Sequence, residues 1–70
     1  MNLMIVIERA GTGFSAYSRD LPGCIAPGAT RKLVEGAMKK AIEMHLQGMR
    51  EEGLKVPQPR SYSTYVEVPG

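Results

Sequence analysis

The chain has no tryptophan, one phenylalanine, one cysteine and one histidine among its 70 residues. Cys24 is alone, so no intrachain disulfide can form. With His45 also alone, no His/Cys cluster has the spacing of a zinc site. A single thiol without a disulfide framework suits a reducing compartment, and a cytoplasmic protein is expected. Long apolar runs are missing too. None approaches the ~20 residues of a membrane span. The apolar start Met1–Ile7 is too short for a signal peptide and runs into Glu8 and Arg9 without a cleavage site. Charge of one sign is scarce: nine basic residues against seven acidic give a net charge of +2. With no basic stripe interleaved with aromatics, that balance speaks against direct DNA binding. Repeats, low-complexity stretches and interdomain linkers are absent, so residues 1–70 are read as one domain. A chain this short buries only about 60% of the surface it exposes when unfolded. Lacking a disulfide and a metal site, it is expected to draw stability from another subunit.

What is present is organised by Thr30–Glu52, a stretch without proline. Leu33, Val34, Ala37, Met38, Ala41, Ile42, His45, Leu46 and Met49 recur at steps of three and four, one stripe of a helix. Arg31, Lys32, Glu35, Lys39, Lys40, Glu43, Gln47 and Arg50 occupy the other side. Thr30 can cap the start with its hydroxyl. Gly53 can turn left-handed at the end, with Leu54 folding back as in a Schellman motif.

Strands are expected before and after. Asn2–Arg9 alternates Leu3, Ile5 and Ile7 against Met4, Val6 and Glu8. Being apolar on both faces, it reads as an interior strand covered on two sides. Ala10-Gly11-Thr12-Gly13 supplies a tight hairpin. Phe14–Arg19 returns with Phe14, Ala16 and Ser18 on one face and Ser15, Tyr17 and Arg19 on the other. Leu21-Pro22-Gly23-Cys24 fits a type II turn. Cys24–Ala26, closed by Pro27 and Gly28, is a short edge strand. After the helix, Val56-Pro57-Gln58-Pro59 must be extended. Ser61–Val68 alternates Tyr62, Thr64, Val66 and Val68 against Ser63, Tyr65 and Glu67, a last strand. The expected fold is α+β, in the order β-β-β-α-β: a small mixed four-stranded sheet with one helix on one face. One helix covers only one face of such a sheet. The other would expose Met4 and Val6 with Tyr17 and Tyr65, a patch expected to be closed by self-association (a dimer or tetramer) or by a protein partner.

Chemistry-bearing residues are few. Two-metal hydrolysis needs several carboxylates converging to hold divalent ions ~4 Å apart. Glu8 and Glu67 lie near strand ends and Asp20 in a turn, with no acidic residue at the middle of the first strand. No catalytic residue, metal or cofactor is assigned. His45 reads as a packed histidine, Cys24 as a small buried hydrophobe, and Lys39 and Lys40 as solvated. Pro22 and Gly23 form a turn that, with Tyr17 and Asp20 beside it, can meet a partner.

Phe14-Ser15-Ala16-Tyr17, then Asp20-Leu21-Pro22-Gly23-Cys24, then Gly28-Ala29-Thr30 lead into a helix with Ala41-Ile42-Glu43-Met44-His45-Leu46 and Gly48-Met49-Arg50-Glu51-Glu52-Gly53. Val56-Pro57-Gln58-Pro59 follows. This ordered set resembles the HicB antitoxin family over nearly the whole chain. The resemblance implies a partial RNase H-like fold with the last strand parallel to the first and a right-handed helical crossover. It also implies a non-catalytic antitoxin that binds HicA, a small mRNA-cleaving toxin, and covers its active site. Tyr17, Asp20, Pro22 and Gly23 are the expected partner contacts; Met4, Val6 and Tyr65 are the expected oligomer interface. Many family members add a C-terminal DNA-binding domain, and none is read within these residues. The alternatives are a homo-oligomeric interaction or ligand-binding module without a toxin and, less favoured, an RNA-binding or RNase H-like nuclease.

Overall fold

The computed structural model describes all 70 residues. Strand β1 (Ile5–Ala10) turns back into β2 (Gly13–Ser18), β3 (Ile25–Gly28) follows, and helix α1 (Arg31–Glu51) completes the regular structure. The sheet is antiparallel in the order β1-β2-β3. Gly11 takes φ +59° while Thr12 stays negative, the pattern of a type II′ hairpin turn. At the other end of β2, the Cys24 N–H donates to the Leu21 carbonyl at 3.3 Å. Gly23 there has φ +86°, so Pro22-Gly23 forms the expected type II turn.

The helix has the expected ends. Thr30 Oγ1 accepts from the Leu33 N–H at 3.1 Å. Gly53 has φ +72°, its N–H donates to the Arg50 carbonyl at 3.1 Å, and the Leu54 N–H donates to Met49 at 2.8 Å. That pair of bonds is the Schellman arrangement.

Register decides which side chains the helix covers. Ile7, Ala16 and Ala26 lie directly opposite one another across the three strands, as do Arg9, Phe14 and Gly28. Ala16 and Ala26 are buried in the core with Leu21, Cys24, Val34, Met38 and Leu46. Small residues on β2 and β3 let the helix settle there. At Gly28 an added Cβ would lie 2.7–2.9 Å from the Val34 backbone and Cβ. On β1, Ile5 and Ile7 are larger and only half-buried. The helix therefore packs on β3 and β2 and leaves the β1 flank open.

Four expectations are corrected. β1 is an edge strand paired only with β2, not an interior one. Its two apolar faces reflect the helix on one side and an uncovered surface on the other. The fourth strand does not form, so the sheet has three strands. Ser61–Val68 lacks ladder partners, because its alternation favours extended backbone but supplies no neighbour to pair with. His45 is exposed. The buried contacts follow Val34, Met38, Ile42 and Leu46, a row of i, i+4 steps that advances roughly 40° per step around the axis. By the fourth turn the contact has rotated past His45 onto Leu46. Leu33, on the far edge of the stripe, is also exposed. The Cys24 expectation holds: the side chain is buried, and burial pushes its thiol up from the ordinary value.

Two sites test this packing. Gly28→Ala forces backbone apart and should lower stability by about 1–3 kcal/mol. Gly36→Ala, in the exposed helix interior with open space around it, should raise stability by about 0.5–1 kcal/mol. Urea unfolding midpoints moving in opposite directions would bear this out; a neutral Gly28→Ala would contradict the close contact. The Ser18 hydroxyl is buried without a hydrogen-bond partner, a state that costs about 1–3 kcal/mol. Ser18→Ala should hold or raise the urea midpoint, and a marked fall would mean that the hydroxyl is bonded.

Candidate protein-binding face

The face away from the helix is built by the alternate residues of the same strands. Val6 stands opposite Tyr17, and Tyr17 opposite Ile25, so an apolar and aromatic row runs straight across the sheet. Met4, two residues before Val6, continues it. Met4, Val6 and Tyr17 are half-buried, while Ile25 is 65% exposed. None of them contributes to the core beneath the helix. The next row on this face is Glu8, Ser15 and Pro27, which gives the patch a polar border. A contiguous apolar patch with a polar rim is the usual anatomy of a protein contact.

The expected site residues divide. Met4, Val6 and Tyr17 share the open face, although the sequence places them in separate oligomer and partner sets. Ile25 joins them unforeseen. The signal was there, since Ala26 on the core face sends Ile25 to the opposite one. Pro22 and Gly23 are exposed at their turn. Tyr65 lies off the sheet and is 98% exposed.

Asp20 is half-buried and holds the chain's own backbone. Its Oδ1 accepts from the Ser61 hydroxyl at 2.9 Å and its Oδ2 from the Ser61 N–H at 3.3 Å. Around this pair lies an open depression lined by Arg19, Pro22, Lys55 and Arg60 among others. Desolvation alone would raise the Asp20 carboxyl; the Ser61 bonds, with help from the Arg60 backbone and charge, outweigh it and hold the group below its usual value. Sequence reasoning missed Ser61, because a contact spanning 41 positions leaves no local pattern.

Glu8, on the open face, and Asp20, beyond the other end of β2, do not converge. No three His, Cys, Asp or Glu residues come together in an arrangement that could hold a metal ion. No helix is long and apolar enough to cross a membrane.

The Asp20 tether has a pH dependence of definite sign. A carboxyl lowered in the folded state stabilises the tether above its unfolded value, and that contribution is lost as pH falls through the folded value. The Ser61 amide should therefore shift in an NMR acid titration with a midpoint below that of an ordinary aspartate, and Asp20→Asn should abolish the step. A midpoint at or above the ordinary value would contradict the tether.

Comparison with known proteins agrees with this geometry. The model of the HicB-like antitoxin of bacterial toxin-antitoxin systems matches residues 3–70. An uncharacterized 14.9 kDa protein of Haemophilus phage HP1 (strain HP1c1), from its rep-hol intergenic region, is 31% identical over 65 residues. That alignment covers 93% of this chain and 49% of the phage protein, so the chain spans about half the length of that relative. A chain of the HicA3 and HicB3 toxin-antitoxin complex superposes with a TM-score of 0.68 at 27% identity, over 83% of this chain and 72% of that one. On the match of residues 3–70, the chain belongs to the HicB-like antitoxin family.

Proposed function

We propose that this protein is an antitoxin that binds a HicA-like mRNA-cleaving toxin and neutralises it by covering the toxin's active site, without catalysis of its own. The observation that carries the reading is the outward-facing Met4–Val6–Tyr17–Ile25 row, partly exposed on the side away from the helix, in a chain of the antitoxin family whose fold recurs in a toxin-antitoxin complex. Tyr17 is the central aromatic anchor, on the middle strand, where a contact is farthest from solvent once covered. Pro22 and Gly23 flank the contact at the turn, and Asp20 shapes that turn through Ser61. The site of action is the cytoplasm, where mRNA is cleaved. Direct DNA binding forms no part of this reading.

The toxin is sought in the reading frame adjacent to this gene, as a small basic protein with a single histidine. Co-expression of the present chain should relieve the growth arrest that the toxin causes, and the two should co-purify. Tyr17→Ala should weaken the complex about tenfold or more, about 1.4 kcal/mol. Ile25→Asp, at a position already exposed, should do likewise without lowering the urea midpoint. Absence of a complex and of relief, or parental affinity in both variants, would overturn the reading and favour a toxin-free interaction module.

A further inference from the structure

The uncovered face is not the only unfinished part of the molecule. β1 has a free backbone edge, since β2 is its sole neighbour. Beside that edge, between β1 and the helix, lies a groove of about 500 Å³ with Met1, Leu3, Ile5, Ile42 and Leu46 in its lining. Charged helix residues form its outer lip. An open edge next to an apolar trough is a template for one more strand.

A segment with the matching pattern is present and unused. Residues 62–70 are exposed throughout, including Tyr62 (84%), Val66 (78%) and Val68 (73%). In a strand, Tyr62, Thr64, Val66 and Val68 share one face, an apolar set suited to the groove.

Two observations direct this segment away from its own sheet. Asp20 anchors Ser61 on the connection between β2 and β3, whereas the free edge of β1 is on the far side of β2. Adjacent strands are ~4.8 Å apart, so a fourth strand would lie roughly 10 Å from β2. Reaching it would use up about three extended residues at ~3.3 Å each before any pairing began. The chain does not make that crossing. Its long dimension is 49 Å, well beyond the roughly 31 Å of the helix.

We infer that Ser61–Val68 pairs with β1 of a second copy of this chain, and that the exchange is reciprocal. Each copy lends its segment and receives the other's, a closed two-fold arrangement that leaves neither edge open. The groove of each copy takes the other's Tyr62, Val66 and Val68. The opposite face of the arriving strand carries Tyr65 to the side where Met4 and Val6 of the receiving copy lie. The open face is thus extended by a residue from the second copy. Self-association on the strand edge also leaves the Val6–Tyr17–Ile25 row free for a different protein. The inference does not depend on the identity of that protein.

Light scattering on the purified chain at micromolar concentration should give twice the 7.6 kDa chain mass. The double substitution Val66→Lys with Val68→Lys, at positions exposed in the single chain, should return the mass to 7.6 kDa with the helical circular dichroism unchanged. Ile25→Asp should leave the dimer intact, which separates this inference from toxin binding. An equimolar mixture of ¹⁵N-labelled and ¹³C-labelled chains, refolded together, should show isotope-filtered contacts from Tyr62 and Val66 of one copy to Leu3 and Ile5 of the other. A monomeric parent chain, a dimer indifferent to the lysines, or contacts confined to a single copy would each overturn the exchange.

Discussion

The close seating of the helix on β3 governs what the rest of the molecule can do. Gly28 brings the strand backbone within reach of Val34, and Ala16 and Ala26 keep the floor beneath the helix shallow. The helix is held toward one edge of the sheet by side chains too small to push it off. The consequence lies at the other edge. β1 keeps its Ile5 and Ile7 only half-covered, its backbone edge free and a trough along its flank. A larger residue at position 28 would move the helix and change those openings together.

Much of this was legible in the residues because the signals are local. Period-two alternation placed Leu3, Ile5, Ile7, Phe14, Ala16 and Ser18 on one face, and the pairing register agrees. The Thr30 cap, the Pro22-Gly23 turn and the Gly53-Leu54 ending follow from dihedral preferences and the unpaired groups of a helix end. What stayed hidden is non-local. Nothing in Asn2–Arg9 says whether a strand has one neighbour or two, and apolarity on both faces arises at an edge as well as in an interior position. His45 obeyed the helical period but not the oblique path of the contact row. The Ser61 tether joins residues far apart in sequence, and only the folded chain brings them together. Of the candidate face, alternation in the sequence brings out Met4, Val6 and Tyr17, whereas the cross-strand register adds Ile25.

The chain devotes one sheet face and the helix stripe to its own core and leaves the opposite face and the β1 edge without a partner element. This division suits a very small protein. Seven buried hydrophobic residues make a thin core, and folding on that scale gains from each further apolar contact at ~25 cal/mol per Å² buried. The proposed inhibition by occlusion needs a complementary surface and no catalytic group, and an apolar open face is compatible with it.

The most direct test of the claim that the face opposite the helix is the protein-binding surface is an NMR titration of the ¹⁵N-labelled chain with the proposed HicA-like toxin. The amides of Val6, Tyr17 and Ile25 should shift or broaden on binding, while those of Lys39 and Lys40 on the outer helix remain in place. Perturbation centred on the outer helix, with the Val6–Tyr17–Ile25 row unmoved, would contradict the account.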